Sequence, residues 1–292
     1  MQPFGYRLEQ AMGRHGPLCV GIDPHPELLE AWRINDDIDG LRRFALTTVE
    51  ALEGRVAALK PQAAFFERHG SRGLAALEEV IAACRDTGTL CIVDAKRGDI
   101  GSTMAAYADA YLGNNSPLAG DAVTLSPFLG FGSLAPAINM ARESGRGVFV
   151  LALTSNPEGH EVQHARRDSG TPVAGTISHH AGVLNTHELS GTDPSIREQR
   201  NLGSIGLVVG ATVGDAVRQL DLDLTAVRGP LLAPGVGAQG AGPAELEEVF
   251  GDARRAVLAS SSRGILRQGP QLSGLREAAE RSAHDVAKAL DR

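Results

Sequence analysis

The strongest constraint on this chain is a rhythm of eight short apolar runs. They are "LCVGI" (18–22), "VAALK" (56–60), "LCIVDA" (90–95), "DAVTL" (121–125), "VFVLAL" (148–153), "IGLVV" (205–209), "PLLAP" (230–234) and "AVLAS" (256–260). Each is mostly apolar and little alternated, as expected of a parallel strand covered on both faces. Amphipathic segments lie between them. In 41–52, Leu41, Phe44, Ala45, Val49 and Leu52 fall on one helical face, and in 275–290 Leu275, Ala279, Val286 and Leu290 do the same. Pro243, after Gly242, opens "AELEEVF" as a helix with proline in its first turn.

Eight such units in 292 residues predict an α/β fold, a (β/α)8 TIM barrel, with residues 1–292 forming a single catalytic domain. A doubly wound sheet is the other arrangement these elements permit. An extended irregular region is expected after strand five, where 155–172 and 186–203 are polar and rich in His, Gly, Ser and Thr. These two stretches flank a helical segment around "ISHHAGVLN". Irregular segments of this length usually serve as lids or interface elements, or are disordered loops.

Composition narrows the function classes. A net charge of −7 argues against broad nucleic-acid binding, which needs Lys and Arg against phosphates, but leaves room for one phosphate held by local donors. Cys19, Cys84 and Cys91 lack paired zinc spacing, and Cys19 and Cys91 lie in apolar runs where a reduced thiol acts as a small hydrophobe. The N-terminal "MQPFGYRLEQAMGRHG" has no apolar core of a secretion signal, and no run approaches the ~18 apolar residues of a membrane span. A soluble cytoplasmic protein without a membrane partner is the expectation.

In a barrel of this kind, chemistry gathers at the C-terminal strand ends. Asp23 follows strand one, Lys60 closes strand two, and Asp94 and Lys96 close strand three. Ser155 follows strand five, while Gln239 and Arg263 follow strands seven and eight. Side chains alternate along a strand, so Asp94 and Lys96 should face one side, into the mouth. Asp99 lies past the strand end, in a loop with Ser102 as a candidate N-cap for "TMAAYADAY".

Two short patterns point elsewhere. "GVGAQG" (235–240) has the G-x-G-x-x-G form of a dinucleotide fingerprint, but it follows the seventh strand instead of the first. Its glycines suit backbone approach to a single phosphate. "HEVQH" (160–164) has the H-E-x-x-H form of a zinc helix, yet it follows the loop-like "SNPEG" and no third ligand is specified. A surface loop or short surface helix is expected there.

"DAKRGDI" resembles the Asp-x-Lys-x-x-Asp signature of the orotidine 5′-phosphate decarboxylase family. Asp23 in "GIDP", Lys60 in "LKPQ", "TSNPEG", "PGVGAQG" and "SSSRG" resemble that family in the same order across nearly the whole chain. The long 155–203 region and the wording "DAKRGDIGST" are most similar to its longer bacterial (type 2) subgroup. The resemblance implies decarboxylation of orotidine 5′-phosphate to UMP, the last step of UMP biosynthesis, without metal or organic cofactor.

It also implies roles. Lys96 would stabilise a carbanion at C6 and protonate it, with Asp94 orienting the lysine beside the substrate carboxylate. Asp99 would come from the second subunit of a homodimer, completing an alternating charge array with Lys60. Asp23 and Lys60 would bind ribose hydroxyls, Thr103 the ribose in the partner's site, Ser155 the pyrimidine, and Gln239 and Arg263 the phosphate. Ser262 stands where the family often has glycine before the arginine. Two other functions are compatible with such a barrel: a metal-dependent keto-sugar-phosphate decarboxylase and a phosphate-ligand sensor. The first needs a carboxylate-rich Mg²⁺ site, where Lys60 is out of place; the second has no need of a proton donor such as Lys96.

Overall fold

The structure, a computed structural model, describes residues 2–191, 201–236 and 240–290. Its eight strands are β1 Leu18–Ile22, β2 Ala58–Pro61, β3 Leu90–Arg97, β4 Ala122–Leu125, β5 Gly147–Leu153, β6 Ile205–Val209, β7 Leu231–Pro234 and β8 Val257–Ser261. Each pairs in parallel with its neighbours in chain order, and β8 closes on β1. The closed barrel is the arrangement the apolar runs predict; the doubly wound sheet is excluded. Boundaries move by a residue or two, most at β2, where Val56 and Ala57 precede the paired segment.

The alternation hidden in each run separates two cores. Leu18, Val20 and Ile22 of β1, Val148 and Val150 of β5, and Val257 and Ala259 of β8 face outward into the layer beneath the helices. Cys19, Ala58, Ile92, Ala122, Phe149, Val208, Leu232 and Leu258 face inward and fill the barrel. The helices Ile38–Leu52 and Leu272–Ala289 bury the faces expected of them, including Leu41, Phe44, Val49, Leu275 and Val286.

One helix has no counterpart in the sequence reading. Phe4–His15 precedes β1 and lays Phe4, Leu8 and Met12 into the inward-facing core. The Phe4 ring meets Phe149 edge to face, with centroids 5.9 Å apart. This helix therefore plugs the N-terminal end of the barrel.

The region after β5 is more regular than expected. A helix spans Val173–Ser190 and buries Ala174, Ile177, Ala181 and Leu189. Its Asn185 donates to the carbonyls of Ile205 (2.7 Å) and Val227 (2.8 Å) and accepts from the Ile205 N–H, clamping the start of β6. Among the described residues the irregular parts are 154–172 and 201–204, and within the first Pro157–Gly159 and His160–Gln163 form helical turns. Expectations for 192–200 lie outside the described residues. All three cysteines are buried and free.

Candidate active site

Inward parity carries up each strand to its C-terminal end. Above Cys19 stands Gly21 and then Asp23; above Ala58 stands Lys60; above Ile92 stand Asp94 and Lys96; above Ala122 stands Thr124. The last core layer is thus followed directly by a layer of charge, at the end where barrels of this class place their chemistry.

Asp94 is the hub. Its Oδ2 lies 2.7 Å from the Lys60 Nζ and its Oδ1 2.6 Å from the Lys96 Nζ. The Thr124 hydroxyl donates to the same Oδ1 at 2.8 Å. Burial opposes ionisation of Asp94, but the two ammonium groups and their hydrogen bonds outweigh it and bring the carboxyl down to about 2. Burial likewise favours the neutral form of Lys60; Asp94 and Asp23 overcome that and hold its pKa above the ordinary lysine range. Cys19 lies close beneath, and burial pushes its thiol up to about 12, so it stays neutral.

Lys96 differs from Lys60 in one respect that matters. Lys60 is enclosed, whereas the Lys96 side chain is 44% exposed and reaches into the open mouth. Its neighbour Arg97 turns outward, pairing with Glu67, donating to the Tyr111 hydroxyl at 3.2 Å and packing over the Tyr107 and Tyr111 rings. Of the two adjacent cations, one serves the mouth and the other fastens the strand end to the helix Gly101–Leu112.

Asp23 reaches the same mouth from β1, and its buried Oδ1 has no hydrogen-bond partner. An unpaired carboxylate oxygen of this kind is suited to a ligand hydroxyl. Gly21 makes the approach possible: a side chain there would begin 2.8 Å from the Asp23 Oδ2 and 2.9 Å from the Ser262 Cβ. Ser262 therefore fits without glycine's freedom. Its φ is −140°, and its Cβ occupies space that Gly21 leaves empty.

The remaining candidates stand around the rim. Arg263 opens the short helix Arg263–Leu266 and is exposed, as is Ser155 beyond β5. Asp99 does not join the charge cluster: its Oδ1 accepts from the Ile100 N–H at 2.8 Å, and no ion pair to it occurs among the described residues. Thr103 lies exposed on the first turn of its helix, next to Ile100, which is 61% exposed. Ser102 is not the cap expected of it, because the helix already begins at Gly101, where φ is +52°, with Ile100 in the cap position. Gln239 lies outside the described residues.

"HEVQH" forms a surface turn. The His160 and His164 rings stack with centroids 4.0 Å apart, and among the described residues no group of three or more His, Cys, Asp or Glu is arranged to hold a metal. Gln163 ties this turn to the end of β5, accepting from the Thr154 N–H (2.8 Å) and donating to its hydroxyl (2.6 Å). Both Gln163 and Thr124 escape the sequence reading. For Thr124 the signal was present, since it shares strand parity with Ala122 in "DAVTL".

Comparison with known proteins agrees with this architecture. Residues 16–278 match the family model described as Orotidine 5′-phosphate decarboxylase / HUMPS family. The chain is 56% identical over 290 residues to an orotidine 5′-phosphate decarboxylase of Streptomyces coelicolor, covering 99% of each. It is 47% identical to one of Corynebacterium efficiens, covering 97% of this chain and 96% of that one. Among solved structures, a Streptomyces avermitilis chain assigned as an orotidine 5′-phosphate decarboxylase superimposes with a TM-score of 0.91 at 56% identity, covering 100% of this chain and 97% of that one. A Toxoplasma gondii chain assigned to the same activity superimposes with a TM-score of 0.81 at 29% identity, covering 99% and 97%.

Proposed function

The chain belongs to the orotidine 5′-phosphate decarboxylase / HUMPS family, and from that premise we infer that it decarboxylates orotidine 5′-phosphate to UMP and CO₂, the closing step of UMP biosynthesis. One observation carries the reading: a lysine ammonium held 2.6 Å from a buried carboxylate, with its outer side open to the barrel mouth.

The chemistry asks for such a group. When the C6–carboxylate bond breaks, its electron pair stays on C6, where no adjacent π-system delocalises it. Lys96 supplies the facing positive charge, then gives C6 a proton and is recharged from water. Asp94, ionised at neutral pH, keeps Lys96 aimed, and the approaching substrate carboxylate experiences its repulsion. Two like charges 4 Å apart repel by only ~4 kcal/mol at an effective dielectric of 20. The largest enzymatic accelerations require ~23 kcal/mol or more. Stabilising the developing carbanion is therefore the major contribution, and repulsion an assisting one.

Binding falls to the rest of the mouth. Asp23, with its unpaired Oδ1, and Lys60 take the ribose hydroxyls. Ser155 takes the pyrimidine, and Arg263 with Gln239 the phosphate, where a guanidinium makes paired contacts. Asp99 and Thr103, neither of which bonds to its own Lys96 among the described residues, complete the site of a second subunit in a homodimer. Residues 1–292 act as one catalytic domain needing no metal or organic cofactor, in the cytoplasm; no helix among the described residues is long and apolar enough to cross a membrane. A Mg²⁺-dependent sugar-phosphate reaction fits less well, because the Lys60 ammonium already sits 2.7 Å from Asp94.

The test is the fall in absorbance of orotidine 5′-phosphate with EDTA present. Turnover that EDTA leaves intact is expected. No turnover overturns the reading, and inhibition by EDTA transfers it to a metal enzyme.

A further inference from the structure

Three features converge on Thr124, a residue the mechanism above does not use. First, the β3–β4 pairing slips beside it: Val93 pairs with Val123 and Arg97 with Leu125, four steps along β3 against two along β4. The extra residues lie in Asp94–Lys96, and a bulge of this kind re-aims side chains at the cost of ladder hydrogen bonds. Second, Lys96 holds φ at +46°, a left-handed backbone that a residue with a side chain adopts at some cost. Third, the Lys96 N–H that the bulge displaces from the ladder donates to the Thr124 Oγ1 at 2.9 Å.

The direction of the chain follows from elementary bonding. A backbone N–H can only donate, so the Thr124 oxygen is the acceptor there and its own proton is free for Asp94 Oδ1, 2.8 Å away. That same Oδ1 receives the Lys96 Nζ. The result is a closed ring: Lys96 backbone to Thr124 to Asp94 and back to the Lys96 side chain. Thr124 is 1% exposed, so no solvent replaces its hydroxyl if it is removed.

We propose that Thr124 is a positioning residue for the decarboxylation, its hydroxyl holding the bulged Lys96 backbone and the Asp94 carboxylate so that the ammonium points at the reacting carbon. The inference rests on the function proposed above and deepens it. Threonine suits the task because its branched methyl packs within the strand while the hydroxyl accepts one bond and donates another.

Thr124→Val keeps the shape and removes both bonds. Expected is a fall in kcat of about 10- to 100-fold, the scale of losing a hydrogen bond to a charged group. The KM for orotidine 5′-phosphate and the Kd for UMP should stay within about threefold, because positioning is lost while substrate contacts remain. Thr124→Ser, which keeps the hydroxyl, should recover most of kcat. A general packing role would instead penalise serine, which lacks the methyl, at least as much as valine. Wild-type kcat in the valine variant, or equal losses in both, overturns the proposal.

A crystal structure of the valine variant reads the same question without turnover. Lys96 leaving the positive-φ region, or its Nζ leaving Asp94 Oδ1, is expected; an unchanged Lys96 overturns the proposal even if the wild type fails to act on orotidine 5′-phosphate. Thr124→Ala serves for both measurements should the valine variant not fold.

Discussion

The two sides of the barrel mouth are built differently. Across β2, β3 and β4, Lys60, Asp94, Lys96 and Thr124 are joined by protein–protein contacts of 2.6–2.9 Å. Across β5, β8 and the segment after β3, Ser155, Arg263 and Thr103 stand exposed and Asp99 half-buried, outside that network. The difference follows the work proposed for each side. Charges that act on a transition state are effective when they are already oriented, since no reorganisation is then needed at the moment of reaction. Groups that bind a mobile nucleotide, or complete a neighbour's site, must remain accessible until it comes. Asp23 lies between the two classes, placed by the fold yet with one oxygen unsatisfied.

The comparison is broken most directly at Lys96. Lys96→Ala should abolish measurable decarboxylation while UMP still binds within about tenfold in calorimetric titration, since Asp23, Lys60 and the exposed groups keep the nucleotide contacts proposed for them. Activity near wild type would remove Lys96 as the proton donor. A combined loss of UMP binding would mean that the two sides are not separable.

The next test concerns the exposed side. Asp94→Asn and Asp99→Asn should each be nearly inactive as homodimers. Once their subunits exchange, roughly a quarter of the sites carry neither change if pairing is random and each site draws Asp99 from its neighbour. Activity recovering toward that fraction is expected on mixing; none, with exchange demonstrated by labelled subunits, rules out the shared site.

The smallest effect is on stability. Asp94 has its carboxyl lowered from 3.8 to about 2 on folding, so its ionised form favours the folded state above pH 4. That contribution, on the order of 2 kcal/mol, is lost as pH falls through about 2. The gap in urea stability between wild type and Asp94→Asn should therefore be widest near neutrality and narrow as the pH is taken from 4 toward 2. A gap constant with pH would mean that the lysines do not hold the carboxylate ionised.

The barrel was legible because burial on two faces leaves a plain mark, short runs of Val, Leu, Ile and Ala at regular intervals. Strand ends were harder. β3 continues through Lys96 to Arg97, where charge reads as loop, because the bulge beside Thr124 lets polar residues stay paired. Asp94 and Lys96 facing one way was predictable from parity, as was Thr124 facing inward; the bonds by which its hydroxyl closes their ring were not, because they depend on the bulge. Ser102 misled because glycine at a positive φ started the helix two residues early. The plug helix had its signal, Phe4, Leu8 and Met12 four apart, within a stretch whose overall polarity concealed it.

That plug shapes the traffic of the reaction. With Phe4, Leu8 and Met12 packed against the inward-facing side chains, the lower end of the barrel is closed among the described residues. Carbon dioxide formed beside Lys96 then leaves through the same mouth that admits the nucleotide. The order in which gas and UMP depart is accordingly set at the rim.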